Sequence, residues 1–212
     1  MRIVDCSQGT PEWHQARAGR VTASRIADMM ARTKSGWGAS RANYAAELLA
    51  ERLTGIVAEG FTNVAMKWGT ETEPQARAAY EFYTDQKVEQ VGFVIHPRIE
   101  MAGASPDGLV GDIGLVEIKC PNTGTHIETL LGAPIPEKYI KQMQWQMACT
   151  ERQFCEFVSF DPRLPANMQI AINRIWRDED TIREIETAVS AFLAEIDATY
   201  SALTEKYGKA AA

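Results

Sequence analysis

The feature that most restricts the fold is a change of hydrophobic period at Lys87. Before it, apolar residues recur at near-helical spacing, as in Tyr44, Leu48, Leu49 and Leu53. After it come short apolar runs, Val88–Ile95, Met101–Ala104 and Leu115–Cys120, cut by His96-Pro97, Pro106-Asp107-Gly108 and Gly111 to Gly114. A period near 3.6 marks a helix with one buried stripe, and short runs bounded by turn residues mark strands. Pro136 then opens a helix to about Thr150, and Phe154–Phe160 and Met168–Ile175 read as two more strands. A long closing helix spans Asp178 to about Lys206, with Ile182, Ile185, Val189, Phe192, Leu193 and Ile196 on one face. Helices, then a mixed sheet crossed by a helix, then a helix, define an α/β or α+β chain. Consecutive strands are expected to pair antiparallel, with 101–106 beside 115–120.

Local signals place the helix ends. Thr10-Pro11-Glu12 is an N-cap with proline at the first helical position, so a helix runs to about Ala18 and stops at Gly19. Thr22 or Ser24 caps a second helix through Met30, and Thr33 to Ser40 reads as a loop. Ser40 caps the Tyr44 to Leu53 helix, which Gly55 stops. Phe61 to Lys67 reads as a loop ahead of a helix from about Gly69 to Tyr83.

A chain of 212 residues is about the upper range for one core, so residues 1–212 read as a single domain. Hydrophobic residues at 45% and charged residues at 24% exclude collagen-like and disordered classes. No apolar run approaches the roughly 18 residues of a membrane span. The N-terminus carries Asp5 and lacks an apolar signal core, and the four cysteines (Cys6, Cys120, Cys149, Cys155) form no CxxC pair. Together these point to a cytoplasmic protein with reduced thiols.

The net charge of −6 speaks at first against nucleic acid, but its distribution is uneven. Residues 178–207 hold eight acids against two bases, whereas residues 17–41 hold Arg17, Arg20, Arg25, Arg32, Lys34 and Arg41 against Asp28 alone. The N-terminal region is therefore locally cationic and open to polyanions, or, on the plainer reading, its charges form only a solvated helix face.

The densest chemistry lies in Ser105-Pro-Asp-Gly-Leu followed by Val116-Glu-Ile-Lys-Cys-Pro. Side chains two apart on a strand share a face, so Glu117 and Lys119 stand together while Val116 and Ile118 turn to the core. With Asp107 at a neighbouring strand end, two carboxylates and a backbone carbonyl make an all-oxygen site of the kind Mg²⁺ accepts. Lys119 would orient or deprotonate an attacking water there. His14, His96 and His126 are scattered, without zinc-ligand spacing, and no phosphate-binding glycine loop occurs.

Asp107, Glu117 and Lys119 together resemble the PD-(D/E)XK nuclease motif. Trp13-His14, Arg17, Gly19, Thr22-Ala23-Ser24, Trp68-Gly69 with Glu73, the segment Tyr139 to Gln146, and Phe160-Asp161-Pro162-Arg163 widen the likeness. In order and approximate spacing they resemble phage lambda exonuclease and its viral-type recombinase relatives over about residues 7–180. The resemblance implies a restriction-endonuclease-like core, a mixed β-sheet flanked by helices. An N-terminal helical DNA-end-binding part at about 7–60, a catalytic core at about 66–177 and a C-terminal helix at about 178–207 would form it. Asp107, Glu117, Lys119 and Glu73 would be catalytic, with Asp107, Glu117, Glu73 and the Ile118 carbonyl holding Mg²⁺ or Mn²⁺. Apart from the resemblance, Glu73 reads as a first-turn acid interacting with a helix dipole. Arg17, Ser24, Ser105 and Gln142 would hold a terminal 5′-phosphate, with Lys34 on the DNA and Met66 as a strand wedge. The plainer reading pairs Arg17 with an acid, leaves Gln142 on a solvated face and buries Met66 as a gap filler. No iron-sulfur cluster is expected, since the cysteines are remote from one another.

The function implied is a magnesium-dependent 5′-to-3′ exonuclease on linear double-stranded DNA. It would act as a homotrimeric ring, beside a single-strand annealing protein, in a phage or prophage of a bacterial host, with the acidic closing helix facing outward and the basic N-terminal region lining the channel. The alternatives are an endonuclease with the same metal site and a non-cutting nuclease-fold protein that binds DNA or a recombination partner.

Overall fold

The computed structural model describes residues 1–34, 36–57 and 63–208. Strand β1 (Arg2–Val4) leads to α1 (Pro11–Arg17), β2 (Val21–Thr22), a 3-10 turn (Ala23–Arg25) and α2 (Ile26–Met29). The hairpin β3 (Arg32–Thr33) and β4 (Gly36–Trp37) precedes α3 (Ala39–Thr54) and α4 (Val64–Thr84). Strands β5 (Val88–Glu89), β6 (Phe93–Ile95), β7 (Ala102–Ala104), β8 (Gly108–Val110) and β9 (Gly114–Lys119) follow. Then come α5 (Thr123–Leu130), α6 (Glu137–Thr150), β10 (Phe154–Phe160), β11 (Ile170–Trp176) and α7 (Glu179–Tyr207).

Two sheets organise the chain. The larger has the order β11-β10-β9-β8-β5 and is mixed: β9 runs parallel to β10, and its other pairs are antiparallel. The second has the order β1-β6-β7-β2. The expected pairing of 101–106 with 115–120 does not occur, because β7 joins β6 and β2 whereas β9 pairs with β8 and β10. Val88–Ile95 likewise divides into β5 in one sheet and β6 in the other. Each half supplies only two or three residues, and although Gln90 and Gly92 fall between them, nothing local states that the two halves take different partners.

Both faces of the larger sheet are covered, which explains why β9 and β10 read as nearly continuous apolar runs. Leu115, Cys155 and Phe157 pack with Met143, Trp145 and Met147 of α6 and with the buried stripe of α7 in the main core. Val116, Ile118, Val158 and Phe160 pack against Ala76 and Tyr80 of α4 on the opposite face. Of α7, the six residues expected on one face are all buried, and Asp178 caps the helix by accepting from the Asp180 and Thr181 N–H groups.

Several helix boundaries differ from the expectation. Thr10 caps α1 through the Trp13 N–H, and Gly55 ends α3 in the left-handed region at φ +69°, both as expected. The cap of α3 is Gly38, not Ser40; within the expected Thr33 to Ser40 loop, Thr33 and Gly36–Trp37 belong to a short hairpin, and Ala39 and Ser40 are already helical. Helix α4 begins at Val64, not Gly69, because the Asn63 side chain accepts from the Met66 N–H. Residues 64–67 of the expected loop are therefore helical, while Ser35, Phe61 and Thr62 lie outside the described residues. Helix α5, capped by Asn122, and strand β1 are additions to the expected elements.

The expected charge separation is also corrected. Arg41, with a 5% exposed side chain, makes a two-oxygen ion pair with Glu195, and Arg52 meets Asp197 at 2.6 Å. His96 and Arg98 both reach Glu186, and Arg25 is taken up by Asp28 and Glu47. The acidic helix thus neutralises part of the basic N-terminal region instead of standing apart from it.

Phe192 of α7 is fully buried and stacked on Tyr44 of α3 at 5.7 Å between ring centroids. Phe192→Ala is expected to lower the unfolding free energy by about 3–5 kcal/mol in urea titration, through lost burial and the cavity left.

Candidate active site

Asp107 sits in the turn between β7 and β8, and its Oδ2 accepts the Ile118 backbone N–H at 2.6 Å. The contact reaches across the β8–β9 hairpin and brings the turn carboxylate to the strand that carries Glu117 and Lys119. That hairpin turns at Gly111, φ +51°, and is held from behind by Arg152, whose Nη1 donates to the carbonyls of Val110, Gly111 and Gly114. On β9 the alternation is as expected, with Glu117 and Lys119 on the α6 face and Val116 and Ile118 in the core beneath α4.

Glu117 is 1% exposed, and a buried carboxylate needs donors. Its Oε1 takes the Lys119 ammonium and Gln142 Nε2 at 2.6 Å, and its Oε2 takes Gln146 Nε2 at 2.6 Å. Burial raises the Asp107 pKa well above the usual carboxylate range; the Glu117 charge adds to this, Lys119 opposes it, and Glu73 contributes further. Burial also works against the Lys119 ammonium, but the Glu117 and Asp107 charges outweigh it and raise its pKa. Cys120 is pushed up to about 12, by burial first and then by the Glu73 and Asp107 charges.

Glu73 lies in the third turn of α4, because the helix starts at Val64, so a first-turn interaction with the helix dipole does not apply. It is half-buried, ion-paired with Arg77 one turn on, and its charge is felt by both Asp107 and Cys120. Among the described residues, no three Asp, Glu, His or Cys side chains have converged into a ligand cage. The donor set nevertheless suits a hard divalent cation. Burial, and after it the Glu117 charge, leaves Asp107 prone to protonation, and an ammonium already sits on Glu117.

A second group forms beside Ser105. Trp13 Nε1 donates to Ser105 Oγ at 2.8 Å, Arg17 Nη1 lies 3.4 Å from the same oxygen, and the Arg17 guanidinium stacks 4.1 Å from the Trp13 ring centroid. Among the described residues Arg17 has no ion-pair partner, which removes the plainer reading of an acid-paired arginine. Burial lowers its pKa, partly offset by Tyr44 and Glu51. Gln142 is not on a solvated face either, and its amide is engaged by Glu117. Ser24 is exposed in the 3-10 turn, Lys34 is exposed at the tip of the β3–β4 hairpin, and Met66 is 53% exposed in the first turn of α4. Its exposure removes the buried gap-filler reading of Met66.

Gln146 and Arg77 are contacts that the sequence set lacks. The i, i+4 spacing of Gln142 and Gln146 on α6 is a signal that points to the first. Arg77 stands i+4 from Glu73, a spacing too common on helices to single it out.

A mixed sheet whose hairpin carries Asp107, Glu117 and Lys119 in this arrangement has the restriction-endonuclease-like PD-(D/E)XK architecture. The chain belongs to the YqaJ-like viral recombinase family, whose domain model matches residues 12–153. It is 57% identical to an alkaline exonuclease (LHK-Exo) from Laribacter hongkongensis, with a TM-score of 0.88 over 95% of this chain and 100% of that one. The LHK-Exo structure in complex with dAMP matches with the same identity, coverage and score. A phage-related exonuclease from Haemophilus somnus 129PT, 19% identical, shares the fold with a TM-score of 0.68 over 87% of this chain and 96% of that one. Among curated proteins there is no match.

Beyond the carboxylates, Asp161 is fully buried and accepts the Arg163 guanidinium, which also lies 4.6 Å from the Trp68 ring centroid. Hydrogen bonds from Arg163 lower the Asp161 pKa to about 2, overriding burial. A depressed carboxyl stabilises the fold above its unfolded value near 3.9 and stops doing so as pH falls through the folded value. The gap in urea midpoint between the parent chain and Asp161→Asn is therefore expected to be full at pH 7 and to close between about pH 4 and about pH 2.

Proposed function

We propose that this chain is a metal-dependent exonuclease that degrades one strand of linear double-stranded DNA from the 5′ end. The observation that carries the reading is the meeting of Asp107, Glu117 and Lys119 across the β8–β9 hairpin, in a chain 57% identical to an alkaline exonuclease. The 5′ direction rests on the family resemblance.

Asp107, Glu117 and the Ile118 carbonyl would hold Mg²⁺, or Mn²⁺ in its place, with Glu73 as a further acid supplied from α4. A cation bound there lowers the pKa of a coordinated water and offsets charge on the scissile phosphate. Lys119, fixed on Glu117, orients the attacking water and stabilises the phosphate oxygens. Arg17 offers a guanidinium with no carboxylate of its own, backed by Trp13 and sharing Ser105, which suits a terminal 5′-phosphate. Ser24 and Lys34 are exposed donors for the DNA backbone. Met66 stands in the exposed first turn of the helix that bears Glu73, where an apolar side chain could lodge between separating strands.

Asp107→Asn, Glu117→Gln and Lys119→Ala are each expected to slow Mg²⁺-dependent nucleotide release from linear duplex by about 100-fold or more while the protein stays folded. A folded Lys119→Ala protein digesting at the parent rate would remove the assignment, and equal cutting of covalently closed circles would make the enzyme an endonuclease. Arg17→Ala is expected to slow digestion of 5′-phosphorylated ends far more than of 5′-hydroxyl ends. Equal slowing of both, measured on end-labelled duplexes, would place Arg17 in general backbone binding.

A further inference from the structure

We propose that Gln146 is a positioning residue for Glu117 that, with Gln142, clamps the carboxylate in the orientation it needs to receive a divalent cation. The role rests on the metal-site reading above. Gln142 and Gln146 stand one helical turn apart on α6, and so on one face. Their amides go to different oxygens of Glu117, each at 2.6 Å. The terminal torsion of a glutamate is broad when nothing holds it. Two donors on two oxygens set that torsion, so the plane of the carboxylate is chosen by the protein before any ligand arrives.

The burial of Gln146 points to the same conclusion independently. Its side chain is fully buried, its helix neighbours Trp145 and Met147 belong to the main core, and its Oε1 has no hydrogen-bond partner among the described residues. Turning the amide around would aim its carbonyl oxygen at the Glu117 carboxylate, so the observed orientation is forced and the acceptor stays unmet. A methionine or leucine would fill the space without a stranded acceptor. What Gln146 alone contributes is the N–H delivered to Glu117. Gln144, two residues earlier, shows what a glutamine that serves the fold looks like here. Its Nε2 donates to the Trp176 carbonyl at 2.8 Å, its Oε1 accepts the Asp178 N–H at 2.9 Å, and both ends are satisfied.

The test uses Gln146→Leu and Gln146→Met in the full chain, with Mn²⁺ binding followed by electron paramagnetic resonance of the free ion in the absence of DNA. Urea midpoints and steady-state kinetics on linear duplex accompany it. Both variants are expected to fold, to bind Mn²⁺ about 10-fold more weakly, and to lose about 10-fold in kcat with KM for DNA unchanged. Mn²⁺ affinity and kcat within about twofold of the parent in a folded variant would overturn the role. Loss of the fold in both variants would overturn it too, by assigning Gln146 to the core. If the parent itself bound Mn²⁺ no better than Glu117→Gln, the metal-site reading would fall, and the clamp with it.

Discussion

A carboxylate cannot be buried in the middle of a sheet unless the surrounding structure brings donors to it, and Glu117 sets that condition for this chain. Its position on β9 places it under α6, where Gln142, Gln146 and Lys119 supply three contacts to two oxygens. Leaving such a charge unmet would cost several kcal/mol, comparable to the whole net stability of a domain. Helix α6 is therefore held in rotation as well as in position: a turn of the helix by one residue would swing both amides away and bring apolar groups onto the carboxylate. Asp107 is tied to the same strand through the Ile118 N–H, so the hairpin and the helix above it act as one frame.

The opposite face of the sheet is fixed by a second buried acid. Glu156 of β10 takes Arg174 from β11 and the Tyr80 hydroxyl from α4, and burial together with that glutamate raises the Tyr80 pKa. This anchors the helix that carries Glu73 against the sheet that carries Asp107 and Glu117. Two acids on opposite faces are thus each satisfied by a helix, and together they hold α6 and α4 against the sheet. The 19% identical phage-related exonuclease keeps the fold across almost its whole length, as expected if the arrangement depends on a few buried contacts and a pattern of apolar positions.

Electrostatics tie the N-terminal helices to the closing helix in the same manner. Exposed ion pairs contribute little to stability, but Arg41 is nearly buried and depends on Glu195 for its only carboxylate among the described residues. The strongly acidic composition of residues 178–207 is thus in part an internal counter-charge. A net charge read along the chain describes neither the surface nor what it can bind, because the partners of each charge are set by the fold.

Hydrophobic period and turn chemistry are local, and the sequence alone determined what depends on them: the closing helix with its six buried residues, β10 to the residue, the cap at Thr10 and the shared face of Glu117 and Lys119. The carriers of the candidate chemistry were legible for the same reason, since Pro-Asp-Gly and Glu-Ile-Lys state their own turn and alternation. Only the tertiary structure decided that Val88–Ile95 serves two sheets, that β9 takes β8 and β10 instead of β7, and that Gln142 and Gln146 close on Glu117. It alone decided that Glu195 and Asp197 answer Arg41 and Arg52. These contacts of Glu117, Arg41 and Arg52 join residues from 25 to 154 positions apart, and which acid meets which donor follows from packing that no local window contains.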